Sequence, residues 1–164
     1  MKIECAIITV SDRGFSGERI DKTGKAVENI LRAKGFDIKK YSIVPDDEKM
    51  IEKEIKEAVD HLNCDIVLTN GGTGLSPKDI TPDVTKNLID YEIPGISEAM
   101  RFEGYKKTVR AVLSRAVSGV RGRSIVINLP GSVKGATESL EAVVDALPHA
   151  VEKLHGSTKD CGNE

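Results

Sequence analysis

Thr69-Asn70-Gly71-Gly72-Thr73-Gly74-Leu75-Ser76-Pro77-Lys78-Asp79-Ile80-Thr81-Pro82-Asp83 is the stretch from which the rest of the chain is read. It follows the apolar run Ile66-Val67-Leu68, whose branched residues and length suit a buried strand. The glycines therefore begin where a strand ends, the place where open α/β sheets bind ligands. Gly71, Gly72 and Gly74 admit backbone angles that a Cβ would forbid, so amide N–H groups can converge on an anion close to the main chain. A helix start follows, with Thr81 expected as N-cap, Pro82 at the first helical position and Asp83 at the positive end of the helix dipole. Lys78 and Asp79 lie between. One loop thus offers amide donors, a cation and a carboxylate, which is the inventory for holding a magnesium-bound phosphate chain.

Two familiar phosphate loops are excluded. A Walker A loop requires Gly-Lys-Ser/Thr, whereas Lys78 follows Pro77 and precedes Asp79. A dinucleotide fingerprint requires a third glycine where Pro77 stands. A lone Gly-Gly would read as a turn that needs glycine only for its geometry, but Lys78, Asp79 and Thr81-Pro82-Asp83 argue for chemistry.

Working outward, the 164 residues suit one domain over residues 1–156 with a disordered tail over 157–164. A formal net charge of -2 and no basic arm argue against nucleic acid as a partner. No signal peptide or membrane-spanning run is apparent. Cys5, Cys64 and Cys161 are odd in number and lack Cys-x-x-Cys spacing, so reduced thiols in the cytoplasm are expected, Cys5 and Cys64 in the core and Cys161 in the tail.

Residues 3–10 read as a buried strand ending in Ser11-Asp12-Arg13-Gly14, and a helix with Val27, Ile30 and Leu31 on one face runs to Gly35. Residues 36–44 form a weaker strand, and its lysines 39 and 40 place it near the sheet edge. Pro45-Asp46-Asp47 precedes the clearest amphipathic helix, which either aspartate can cap. Helices are expected over 81–90 and 94–105, while 109–113 is ambiguous between strand and helix. Residues 115–120 and 124–129, joined by Arg121-Gly122-Arg123, predict an antiparallel pair. A last helix carries Ala136, Leu140, Val143 and Leu147 and is expected to break at Pro148. His61, His149 and His155 fall on helices or their ends and read as structural or solvent-facing.

Alternating strands and helices predict a three-layer α/β fold, a mostly parallel sheet with helices on both faces and one antiparallel strand pair. Ser11, Asp12, Asp46, the Gly71 to Asp79 loop, Pro130 and Gly131 should then meet at one rim.

These motifs together resemble the MogA/MoaB family of molybdenum-cofactor biosynthesis, which includes molybdopterin adenylyltransferases and the N-terminal domain of gephyrin. The resemblance is carried by Ser11-Asp12-Arg13, Val44-Pro45-Asp46, the Thr69 to Asp83 loop, Leu113-Ser114-Arg115 and Asn128-Leu129-Pro130-Gly131, and spans nearly the whole chain. It implies transfer of AMP from magnesium ATP to the terminal phosphate of molybdopterin. It further implies Asp46 and Asp79 as the catalytic, Mg2+-holding carboxylates. Ser11, Asp12, Gly71, Gly72, Thr73, Gly74 and Lys78 are expected to contact nucleotide or pterin phosphate. Ser114 and Arg115 match the segment lining the pterin side, and Pro130, Gly131 and Lys134 match a Leu-Pro-Gly loop with its basic follower. The resemblance implies a trimer, or a pair of trimers forming a hexamer, working with other molybdenum-cofactor biosynthesis proteins. A non-catalytic pterin-binding protein of the MoaB type and an oligomeric scaffold are the alternatives. An ionised phosphate monoester needs no general base, which accords with the lack of a motif-placed histidine.

Overall fold

In the computed structural model, residues 2–157 are described, and six strands form one sheet in the order 37–44, 4–10, 66–70, 124–129, 118–121 and 91–92. The expected tail, Ser157 aside, lies outside the described residues, as does Cys161. Strands β1 (Glu4–Val10), β2 (Asp37–Val44), β3 (Ile66–Asn70) and β6 (Ser124–Leu129) are mutually parallel. Strand β5 (Ser118–Arg121) runs antiparallel to β6, giving the expected pair, and the two-residue β4 (Tyr91–Glu92) extends it antiparallel to β5. That short extension was not foreseen, because two residues carry no periodicity.

Strand alternation builds the layers. Cys5 and Ile7 of β1 face one side, where they join Leu68 and Ile127 beneath helices α2 (Lys22–Ala33), α5 (Pro94–Tyr105), α6 (Val133–Glu141) and α7 (Leu147–Leu154). Ala6, Ile8 and Val10 face the other, beneath α3 (Glu48–Lys56) and α4 (Thr81–Leu88). Both faces of the central strands are thus dry, which is why β3 and β6 are apolar rather than alternating. The lysine-bearing β2 occupies the edge as its composition required.

Three local expectations are corrected. Thr81 is the first residue of α4, not its cap: Ile80 holds the cap position without a side-chain bond, and the Thr81 hydroxyl is buried with no protein partner. The final helical region breaks before Pro148, through a 3-10 turn at Val144–Ala146, and Pro148 sits in the first turn of α7, where its missing N–H costs nothing. Residues 109–113 are a 3-10 turn rather than a strand or an α-helix.

Register aligns the strand ends. Val10 pairs with Val44, Thr9 with Asn70, and Asn70 with Leu129, so the segments leaving β1, β2, β3 and β6 emerge level with one another. From β1 the chain goes first to β2 on one side and then to β3 on the other. A crevice opens above β1 and β3, where the winding direction reverses.

Candidate active site

A cavity of about 860 Å³ occupies that crevice, walled by Ser11, Asp46, Gly71, Gly72, Asp79 and Gly131 and floored by Thr9 and Asn70. The glycines belong here for a steric reason. At Gly71, φ is +105° and a Cβ would lie 2.2 Å from the carbonyl oxygen of Val10; at Gly72, φ is +65° and a Cβ would meet the Thr81 hydroxyl at 2.4 Å. The loop can pass over the β1 terminus only as bare backbone.

The two neighbouring aspartates divide their work. Asp47 caps α3, accepting from the Met50 amide at 2.9 Å, so Asp46 is left to face the cavity. Asp46 and Asp12 hold each other reciprocally: the Asp12 amide donates to Asp46 Oδ2 at 3.3 Å, and the Asp46 amide donates to Asp12 Oδ1 at 3.0 Å. Burial pushes the Asp46 carboxyl above the ordinary aspartate range, and the nearby Asp12 and Asp79 charges push the same way. Asp12 is held below that range, chiefly by the Lys78 ammonium 2.8 Å from its Oδ2. Lys78 thus ties its own loop to the segment that follows β1, and neither it nor Asp12 lines the cavity. Asp79 is oriented by its own turn, its Oδ2 accepting from the Ser76 amide at 2.9 Å.

A second, more apolar cavity of about 290 Å³ lies on the other side of the glycine loop, lined by Thr73, Gly74, Met100, Leu113, Ser114 and Pro130. Ser11 reaches the first cavity while capping the short helix α1 (Asp12–Phe15) through the Gly14 amide at 3.0 Å. The rim expected from topology is therefore assembled, but four of the expected residues line neither cavity: Asp12 and Lys78, which pair with each other, and Lys134 and Arg115. Lys134 is exposed in the first turn of α6 and lines neither cavity. Arg115 lines neither, and its guanidinium is bonded to Asp83 and to main-chain oxygens of the loop.

Sequence reasoning missed the cavity floor. Asp21 caps α2 through Gly24 and also accepts from Thr9 Oγ1 at 2.5 Å and from the Tyr41 hydroxyl, while Asn70 donates to Thr9 Oγ1 at 2.9 Å. The available signal was Thr9 and Asn70, polar residues at adjacent ends of two apolar strands.

Residues 6–149 match the family described as "Probable molybdopterin binding domain". The chain belongs to the MogA/MoaB family of molybdenum-cofactor biosynthesis. This MogA/MoaB chain is 38% identical over 157 residues to the molybdopterin adenylyltransferase of Helicobacter pylori J99, covering 94% of this chain and 89% of that protein. The crystal structure of the molybdopterin biosynthesis enzyme MoaB from Thermus thermophilus superposes with a TM-score of 0.90 at 50% identity, covering 94% of this chain and 98% of that one. The tungsten cofactor synthesizing protein MoaB from Pyrococcus furiosus superposes with a TM-score of 0.86 at 35% identity, covering 93% and 97%.

Among the described residues no helix is long and apolar enough to cross a membrane. Cys5 and Cys64 are buried free thiols, as their place in apolar strand and turn positions implied, and burial pushes the Cys64 thiol up to about 11.

Proposed function

We propose that this member of the molybdenum-cofactor biosynthesis family is a molybdopterin adenylyltransferase. The observation that carries the reading is the release of Asp46 from helix capping, which sets its carboxylate in the same cavity wall as Asp79, beside the bare glycine backbone. The adenylyltransferase activity of the Helicobacter pylori relative supports it.

The residues present fit a magnesium ion. Asp46 and Asp79 supply hard carboxylate oxygens, and among the described residues no cluster of three or more His, Cys, Asp or Glu forms a complete protein cage. Two carboxylates completed by substrate phosphates is how Mg2+ is usually held, whereas zinc would call for nitrogen or sulfur. Bound there with ATP, the ion would neutralise charge on the phosphates.

In this reading the larger cavity takes the nucleotide and the smaller, more apolar one takes the pterin, so the reacting phosphates meet at the glycine loop between them. A terminal phosphate oxygen of molybdopterin bonds to the α-phosphorus of ATP, the bond from that phosphorus to the bridging oxygen breaks, and pyrophosphate leaves with the electron pair. The protein's part is alignment and charge compensation rather than proton removal. Asp46 and Asp79 would hold the cation, the amides of Gly71 to Gly74 would cradle phosphate oxygens, and Lys78 could leave Asp12 for the developing charge on pyrophosphate.

The exposed apolar side chains Phe102, Tyr105, Val109, Val112 and Leu113 at the end of α5 and the following turn support assembly into a trimer or a pair of trimers. The two buried free thiols suit a reducing cytoplasm. The tungsten-pathway relative leaves a tungsten cofactor as the alternative destination of the same product.

The deciding experiment is pyrophosphate release from ATP, Mg2+ and molybdopterin by the parent and by Asp79→Asn, which preserves shape and removes charge. A loss in turnover of roughly a hundredfold or more is expected, the scale of removing one preorganised electrostatic group, with molybdopterin affinity little changed. Normal turnover in the variant sinks the mechanism. No turnover in a parent that still binds molybdopterin hands the case to the non-catalytic binding protein.

A further inference from the structure

Arg115 belongs to the segment matched to the pterin side of the pocket, yet its donors are already committed. Its Nε donates to the Gly74 carbonyl at 3.1 Å, and its Nη2 to the Asp79 carbonyl at 2.5 Å. Its Nη1 and Nη2 grip the two Asp83 carboxylate oxygens at 3.0 and 2.9 Å. A guanidinium has five N–H donors, and these four bonds leave only one, too few for the bidentate fork by which arginine recognises phosphate. The Arg115 amide adds a further bond to the Thr73 carbonyl at 2.9 Å.

The bonds share a target. Thr73 and Gly74 begin the exposed loop, Asp79 ends it, and Asp83 lies in the first turn of the helix that follows. Between those anchors the loop is closed on itself by three local bonds, from the Ser76 amide to Asp79 Oδ2, from the Asp79 amide to the Ser76 carbonyl at 2.8 Å and from the Lys78 amide to Ser76 Oγ at 3.4 Å. A solvent-exposed turn of that kind opens readily unless its ends are tied.

We infer that Arg115 is a positioning residue: its guanidinium ties both ends of the Gly74 to Asp79 loop to the first turn of α4, and so acts on the cation through Asp79 rather than on a phosphate. The inference rests on the assignment of Asp79 to cation binding. It changes what Asp83 is for, since that carboxylate becomes the far anchor of the clamp and not simply an acidic group at a helix start. Lysine cannot replace the arginine, because an ammonium has no planar fork to span a carboxylate and two carbonyls at once.

Four single variants test it: Arg115→Met, Arg115→Lys, Asp83→Asn and Asp79→Asn, with Arg115→Met also combined with Asp79→Asn. Mn2+ affinity is measured in the presence of ATP, ATP affinity is measured separately, and hydrogen exchange is followed at the Ser76 and Asp79 amides. Both Arg115 variants should weaken Mn2+ binding by on the order of tenfold, the usual effect of removing a partner that orients a metal ligand. Asp83→Asn should shift it the same way by less. In the Asp79→Asn background Arg115→Met should cause no further loss, because the two side chains act as one unit. Exchange at Ser76 and Asp79 should quicken in the Arg115 variants while the β3 amides stay protected, which shows that the sheet is folded.

A phosphate-binding arginine gives opposite results. Freeing it by Asp83→Asn would tighten ATP binding, and Arg115→Met would weaken ATP with Mn2+ affinity and loop exchange unchanged. Either outcome overturns the inference. A parent protein that fails to bind Mn2+ with ATP overturns the cation assignment itself. The clamp is then still decided by the loop exchange, since unchanged exchange in Arg115→Met refutes it.

Discussion

Asp46→Asn and Asp47→Ala, neighbouring changes at one loop, should have opposite consequences. Asp47 accepts from the Met50 amide at 2.9 Å and caps α3, so its truncation should cost about 1 kcal/mol. For a chain of this size that lowers the melting temperature by about 2–4 °C. Turnover should stay near the parent's, since Asp47 does not line the cavity. Asp46 is different in sign. Its folded carboxyl lies above the ordinary aspartate range through burial, with the Asp12 and Asp79 charges adding to it. A raised acid favours the fold fully below its unfolded value of about 3.9 and loses that contribution as pH rises through the folded value. At pH 7 the ionised Asp46 therefore costs stability, and Asn, which still accepts from the Asp12 amide, removes that cost. Asp46→Asn should melt no lower than the parent at pH 7, with any gain vanishing near pH 3, while pyrophosphate release falls roughly a hundredfold. The assays are melting curves at the two pH values and pyrophosphate release. A variant that melts several degrees lower at pH 7 and keeps its turnover would show that Asp46 is structural, and the reasoning fails.

Gly72→Val combines a left-handed φ of +65° with a Cβ 2.4 Å from the Thr81 hydroxyl and 3.2 Å from Asp46 Oδ1. ATP affinity should drop about tenfold or more, with a strain cost of about 1–3 kcal/mol; a folded variant that binds ATP as the parent does refutes the cradle. The Lys40–Glu54 pair, 2.9 Å apart with side chains 19% and 16% exposed, governs part of the acid stability. Burial pushes the Glu54 carboxyl up, but Lys40, the Ser42 hydroxyl and Lys53 together outweigh it and hold the group below the ordinary range, so its stabilisation is present above about pH 4.3 and is lost as pH falls through the depressed value. Glu54→Gln should cost about 1–2 kcal/mol at pH 7 and flatten the acid limb of stability against pH, and an unchanged limb in denaturant titrations contradicts this. Light scattering should find an oligomer that Phe102→Asp with Val109→Asp reduces to a folded monomer; a monomeric parent at micromolar concentration refutes the assembly.

How much was legible in the sequence follows from the range of the forces involved. The alternation of apolar strands with amphipathic helices, the edge position of the lysine-bearing β2 and the convergence of strand ends are consequences of periodicity and right-handed connection, and all could be read locally. The glycine loop with its lysine and aspartate was equally plain. Only the tertiary structure decided between Asp46 and Asp47, because capping depends on which carboxylate meets the Met50 amide once β2 and α3 are set at their angle. It alone turned the Thr81 hydroxyl inward beneath Gly72 and left Ile80 at the cap. It placed the helix break ahead of Pro148, since packing of α6 and α7 on the sheet, rather than the proline ring, determines where the chain bends. Arg115 is the clearest case. A cationic side chain long enough to reach a phosphate, a carboxylate or several carbonyls has no preferred partner in one dimension, and the choice of Asp83, Gly74 and Asp79 was made by residues 32, 41 and 36 positions away in the chain.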